Sequence, residues 1–273
     1  MKIAYLGPEG TFSHSAAKLY LDGVQEQNGE LICAPSIYDA FSYVDQEIVD
    51  IAVLPIENSI EGSVNVTLDC LAINNDVNIV HEIMLGIRQN LLAKSLDITK
   101  IYSHAHAIGQ CGQFIHSQCP DIPVLVVSST SRAAEIAMNE DGAAAIGGSI
   151  LAEMYGLKII SEGIEDFKNN STRFAIVQKK GKFVSNADKT SIVFGVEHKP
   201  GSLCKILELF NDAGINMLRI ESRPSKRFIG EYVFFIDIGG GIQESHIVRT
   251  MEQVRRQSIY YKLLGSYKDF GSP

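Results

Sequence analysis

The chain has 273 residues, with 24 Lys+Arg against 32 Asp+Glu, a formal charge of -8 and a pI near 5.4. That length suits two domains with separate cores, and 45% hydrophobic with 21% charged residues is ordinary globular composition. The acidic balance excludes the basic stripe that a nucleic-acid binder needs, and an anionic ligand would need local cations or donors.

Residues 1 to about 178 alternate short apolar runs with helical patterns. Strands are predicted over 3–6, 30–34, 51–55, 77–84, 86–93, 101–103, 123–127, 143–146 and 174–178. Helices are predicted over 13–21, 36–47, 108–116, 133–139 and 149–155. Such alternation implies mainly parallel sheets with helices on their faces and ligands at the carboxyl ends of strands. The polar stretches 178–182 and 185–189 read as a linker. Beyond them come strand 191–196, helix 202–213, strands 215–222 and 232–238, helix 245–257 and strand 260–267, the order of a ferredoxin-like domain. No apolar run approaches the roughly 18 residues of a membrane span, and the first residues are too short for a signal-peptide core. Five cysteines, odd in number and without C-x-x-C, fit reduced thiols in the cytoplasm.

Five segments carry candidate chemistry. Gly7-Pro8-Glu9-Gly10-Thr11-Phe12-Ser13-His14 links the first strand to the first helix. Its glycines let backbone N–H groups approach an anion at a helix N-terminus; it also fits a plain turn and cap. It is neither a dinucleotide fingerprint nor a P-loop. In Leu54-Pro55-Ile56-Glu57-Asn58-Ser59-Ile60-Glu61-Gly62, Asn58 and Glu61 fit a capping box. Glu57, directly after a buried-looking strand, needs a partner or a task. Ser103-His104-Ala105-His106, Gln110-Cys111, His116 and Cys119 match no common zinc spacing, and Cys111 falls within the predicted helix, so no metal is assigned. Ser128-Ser129-Thr130-Ser131 offers either a helix cap or spare hydroxyls. In Asn169-Asn170-Ser171-Thr172-Arg173-Phe174, Arg173 supplies a planar fork for a carboxylate and Thr172 a hydroxyl. An edge-strand Arg and a β-favouring Thr are the plainer reading.

In this order the five segments resemble those of prephenate dehydratases, and the C-terminal part resembles the ACT regulatory domain that follows in that family. Gly201-Ser202-Leu203-Cys204 stands where the family has its first effector motif, and Glu221-Ser222-Arg223-Pro224 matches the second. The resemblance covers nearly the whole chain; Ala105-His106-Ala107 departs from it, where the family often has Pro-Gln. It implies an α/β fold: a two-lobed, periplasmic-binding-protein-like catalytic domain over 1–182 and a ferredoxin-like (βαββαβ) ACT domain over 189–270. Crossings between the lobes are expected near 71–80 and 162–167. Met1 lies against the first strand, so no chorismate mutase segment is expected.

The implied reaction takes prephenate to phenylpyruvate, CO2 and water without a cofactor, under control of L-phenylalanine. The resemblance places Thr172 at the leaving hydroxyl; Arg173 would pair with a carboxylate, and Glu57, if desolvated, would have a raised pKa and stay protonated near neutrality. Thr11, Asn58, Ser59, Ser103, Gln110, Ser129, Thr130 and Phe174 are implied substrate contacts. Gly201, Ser202, Leu203, Cys204, Asn216, Leu218, Glu221, Ser222, Arg223 and Pro224 are implied effector contacts, with self-association through ACT domains as dimer or tetramer. No nucleic acid or membrane partner is expected. Two other readings stay open: an arogenate dehydratase, and a non-catalytic amino-acid sensor, against which Thr172, Arg173 and Glu57 together speak.

Overall fold

A computed structural model describes residues 1–25, 28–179, 183–184, 186–225 and 231–269. The chain begins with β1 (Lys2–Leu6), α1 (Phe12–Gly23), β2 (Glu30–Ala34), α2 (Ile37–Asp45), β3 (Ile51–Asn58), β4 (Gly62–Ser63), α3 (Asn65–Ile73) and β5 (Val77–Gly86). A second lobe follows: β6 (Asn90–Ala93), β7 (Lys100–Ser103), α4 (Ala105–Gln110), α5 (Gly112–Gln118), β8 (Val124–Val126), α6 (Thr130–Asn139), β9 (Ala143–Gly147), α7 (Ile150–Tyr155) and β10 (Lys158–Ser161). The chain returns as β11 (Ser171–Lys179), then forms β12 (Lys189–Gly195), α8 (Ser202–Asp212), β13 (Met217–Pro224), β14 (Tyr232–Gly239), α9 (Ser245–Gln257) and β15 (Tyr260–Asp269).

In the first lobe β1 pairs in parallel with β2 and β3, while β11 runs antiparallel between β3 and β5. Helix α1 lays Ala16, Ala17 and Tyr20 on Ile3, Tyr5, Val53 and Phe174. On the opposite face α2 and α3 bring Phe41, Val44, Leu68 and Leu71 against Leu54, Ile56 and Val177. Cover on both faces explains why β3 reads as a continuous apolar run. The second lobe is a five-stranded sheet ordered β10-β6-β9-β7-β8. Every residue of β9 is buried, and its alanines let α6 approach closely through Ala133, Ala134 and Ala137.

Several expectations need correction. The first crossing lies at residues 87–89, not 71–80, because β5 pairs with β11 from Val77 to Gly86 and stays in the first sheet. It runs beside the return at 162–170: Ile87 N donates to Asn170 O (2.8 Å) and Ile164 N to Gln89 O (2.8 Å). The helix expected over 108–116 is two short helices broken at Cys111, whose φ of -120° leaves the helical range. Gly86 ends one strand and the next begins at Asn90, so 86–93 is not one strand. Asn58 and Glu61 form no capping box; Asn58 Oδ1 accepts from the backbone of Ile60 and Glu61 in the β3–β4 turn. Of the expected linker, residues 180–182 and 185 lie outside the described residues, as do the boundaries placed at 182 and 270.

The last four strands stand in the order β13-β14-β12-β15, the ferredoxin-like arrangement. Ile192, Phe194, Ile236 and Ile238 meet Ile206, Phe210, Ile247 and Val254 of α8 and α9 on one face. The alternate residues Val193, Phe235, Leu264 and Tyr267 join the core of the first lobe. At its end β15 pairs in parallel with β5, Lys268 opposite His81 and Asp269 opposite Glu82, so the two units share one ten-stranded sheet. Lys262 Nζ reaches into the first lobe to donate to Leu71 O (2.6 Å) and Val77 O (3.2 Å), satisfying a carbonyl near the end of α3. No helix among the described residues is long and apolar enough to cross a membrane.

At the strand junction a Cβ on Gly265 would stand 2.2 Å from Ile79 O, which is backbone and cannot swing aside. Gly265→Ala is therefore expected to destabilise by at least about 1–3 kcal/mol. Gly86→Ala, where a Cβ meets nothing within 4 Å, should stay within about 0.5 kcal/mol of the parent. Urea unfolding of both variants checks the contrast.

Candidate active site

The two lobes enclose a cavity of about 440 Å³. The β1–α1 loop, the end of β3, the residues after β7 and the residues after β8 all contribute walls, so the site sits beyond strand carboxyl ends. Thr11 caps α1 and Ser129 caps α6, each accepting a backbone N–H three residues on. Both helices thus turn their N-terminal, partly positive ends toward the cavity from opposite lobes. A Cβ on Gly10, at φ 82°, would stand 2.4 Å from Leu151 Cδ2 of the second lobe, so glycine permits the close approach.

Side chains on β11 alternate. Thr172 and Phe174 line the cavity; Arg173 lies on the other side. Asn58 Nδ2 donates to Thr172 Oγ1 (2.9 Å) and to Asn170 Oδ1 (2.9 Å). Because Thr172 Oγ1 accepts there, its own hydrogen remains available to a ligand in the cavity. Gln110 also lines the cavity, its Oε1 accepting from Gln89 Nε2 (3.1 Å). Gln89 Oε1 is buried without a hydrogen-bond partner, an acceptor beside the cavity.

The geometry thus gathers Thr11, Asn58, Gln110, Ser129, Thr130, Thr172 and Phe174 around one space. Four expected contacts lie elsewhere. Ser103 is buried, and its Oγ donates to Ile146 O (2.7 Å), tying β7 to β9. Ser59 Oγ accepts from Ser171 N (3.0 Å) and shapes the approach to β11. Arg173, buried, and Glu57, part-exposed, belong to a charge cluster behind the cavity wall. Arg173 meets Asp237 on β14 (2.7 Å), Glu57 on β3 (3.3 Å) and Glu82 on β5 (3.4 Å). Glu57 also pairs with Arg219 on β13 (3.3 Å), Lys189 on β12 pairs with Glu82, and Ser191 Oγ donates to Asp237 Oδ1 (2.6 Å). Burial alone would lower the Arg173 pKa, but Asp237, Tyr267 and Glu82 hold it above its ordinary value. Burial, then Asp237 and Glu82, push the Tyr267 hydroxyl well above the ordinary tyrosine range.

Strand pairing carries no mark of which lobe a loop faces, so sequence reasoning overlooked Phe12, Val64, Ile87 and Gln89 in the wall. The crossing at 87–89 was the signal, had it been placed correctly. Cys111 and Cys119 are buried in the second-lobe core, away from the cavity, and burial, then Asp166 and Glu165, push the Cys111 thiol up to about 12. The expected effector residues divide. Ser202 and Leu203 line a cavity of about 240 Å³ with Tyr232 and Phe234, whereas Pro224 lines another of about 270 Å³ against α3. Gly201 caps α8 at φ 81°, Cys204 is exposed and contacts Glu208, and Leu218 is half exposed on β13. Asn216 O accepts from Gly239 N, and Arg223 pairs with Asp69 of α3 (2.8 Å); Glu221 and Ser222 lie along β13 opposite Phe235 and Phe234.

A family model described as prephenate dehydratase matches residues 3–182, and one described as ACT domain matches residues 190–256. A prephenate dehydratase of Methanocaldococcus jannaschii is 39% identical over 274 residues, covering 98% of each chain. A bifunctional chorismate mutase/prephenate dehydratase of Aquifex aeolicus is 38% identical over 270 residues, covering 98% of this chain and 73% of its own. The crystal structure of a prephenate dehydratase from Arthrobacter aurescens in complex with L-Phe superposes with a TM-score of 0.88 at 33% identity, over 98% of this chain and 90% of that one.

The charge cluster generates a pH-dependent expectation. Burial raises the Asp237 pKa, but Arg173, Ser191 and Arg219 outweigh it and hold the carboxyl below its ordinary value of 3.8. The unfolded chain therefore takes the proton first, and the contribution of Asp237 is complete above its unfolded pKa and is lost as pH falls through the folded value. Asp237→Asn, which leaves Arg173 without its nearest anion, should cost about 3–5 kcal/mol near pH 7. The gap from the parent should narrow below about pH 4. Denaturant unfolding of both proteins across pH 3–7 reads it.

Proposed function

The chain belongs to the prephenate dehydratase family, and we propose that it converts prephenate to phenylpyruvate, CO2 and water under the control of L-phenylalanine. The observation that carries this reading is the Thr172 hydroxyl, held as an acceptor by Asn58 with its hydrogen left for the cavity. In the reaction the bond from the ring to its carboxylate breaks, the electron pair enters the ring, and the ring hydroxyl departs with a proton as water. Aromatisation drives the step. A threonine hydroxyl is a weak acid, so Thr172 acts as an oriented donor or relay to the leaving oxygen. The substrate's two carboxylates find the N-terminal ends of α1 and α6 and neutral donors such as Gln110. Fastening the departing carboxylate with Arg173 would stabilise the ground state as much as the transition state, and its position behind the wall avoids this.

We assign 1–182 to catalysis and 189–270 to regulation. Phenylalanine, which the Arthrobacter relative holds, would bind where Gly201–Cys204 of one copy approaches Glu221–Pro224 of another. Each chain alone places Ser202 and Pro224 in separate cavities, and β13 is an open sheet edge with Leu218 and Ile220 exposed. This assembly is a dimer or a pair of dimers. Five cysteines without a disulfide suit the reducing cytoplasm.

Thr172→Ala should lower turnover by about 10²-fold or more with little change in KM, since the lost contact acts on the leaving group. Phenylpyruvate formation from prephenate measures it. Near-normal turnover in the variant would remove Thr172 from the mechanism, and faster turnover of arogenate by the parent enzyme would reassign the substrate.

A further inference from the structure

The mouth of the cavity is bridged by one contact. Glu61 stands in the β3–β4 turn of the first lobe, its N–H held by Asn58 Oδ1 (3.0 Å). His106 stands on α4 in the second lobe. His106 Nδ1 and Glu61 Oε1 lie 2.8 Å apart, and both side chains line the cavity while remaining exposed to solvent. A carboxylate accepts only, so Nδ1 carries the hydrogen. The His104 ring stacks on His106 with centroids 5.2 Å apart. Among the described residues lining the cavity there is no lysine or arginine, and Glu61 is the sole carboxylate. The substrate inferred above is a dianion, yet a carboxylate of the protein already occupies an oriented ring donor at the entrance.

We propose that His106 is a specificity-determining residue whose Nδ1–H donates to a carboxylate of the incoming substrate, with Glu61 as the displaceable occupant of that donor. The inference rests on the prephenate dehydratase reading. Before the ligand arrives Glu61 keeps the donor aimed and ties the lobes; when the substrate enters, its carboxylate takes the place of Glu61, and the freed Glu61 turns to solvent. The bonds exchanged are hydrogen bonds alone, so no proton need leave the imidazole.

The test is the KM-against-kcat split for prephenate in the full-length enzyme. His106→Leu should raise KM about five- to tenfold with kcat within about twofold, because an N–H donor to a carboxylate is lost. His106→Gln, which keeps an N–H donor, should return KM to within about twofold of the parent. Glu61→Gln should lower KM by about threefold, the effect of removing one charge about 6 Å from an anion in a water-like medium. An unchanged KM in His106→Leu overturns the proposal, as does a raised KM in Glu61→Gln, which would make the pair a structural tie. If the parent enzyme forms no phenylpyruvate, the underlying reading fails and the proposal with it. If phenylpyruvate forms but KM is indifferent to His106→Leu, the proposal alone fails.

Discussion

A guanidinium buried between the first lobe and the C-terminal unit must find its anions, and that requirement organises the centre of this protein. Arg173 is nearly sealed from water, where an unpaired charge would cost several kcal/mol. Two of its partners come from β3 and β5 of the first lobe, and the nearest, Asp237, comes from β14, so docking of the C-terminal unit supplies its closest anion. Further cations, Lys189 and Arg219, bind the surplus carboxylates. The result is three positive and three negative side chains with no large net charge to repel the fold. The backbone of Arg173 is continuous with that of Thr172, one residue nearer the cavity.

This adjacency gives regulation a short physical route. Successive side chains of a strand point to opposite faces, and β11 carries Thr172 toward the cavity and Arg173 toward β14. The Arg173–Asp237 contact to the C-terminal unit thus lies one residue along the strand from the Asn58–Thr172 hydrogen bond, 2.9 Å long. Asn58 also bonds Asn170, at the end of the return crossing. One asparagine therefore contacts both the crossing and β11.

Much of this was legible in the sequence. Alternating strands and helices defined an α/β unit, whose division into two lobes was implied by the resemblance alone; the βαββαβ order defined the C-terminal unit, and the loops after β1, β3, β7 and β8 were where an α/β sheet places a site. Strand α/β periodicity also contained the fact that Thr172 and Arg173 face opposite ways. Treating Thr172-Arg173-Phe174 as a single motif hid it. The partner of Arg173 is 64 residues away in sequence, and nothing local to Asp237 marks it. Helix α3 went unnoticed because its core contacts, Thr67, Leu68 and Leu71, are too few and too mixed in polarity for a helical stripe. Strand β10 is four residues at a sheet edge with no buried position, so it lacks alternation.

The shared sheet makes the boundary between the two units unlike a hinge between modules. β15 covers the outer edge of β5, and Val193, Phe235, Leu264 and Tyr267 fill the core beneath α3. A chain shortened to its first unit would bare that strand edge and the apolar patch around Leu71 and Val77, and would take Asp237 from Arg173. Bare edges and apolar patches recruit other chains. The first unit consequently relies on the C-terminal unit to close its own sheet and core, so the two behave as one folding unit rather than as separable modules.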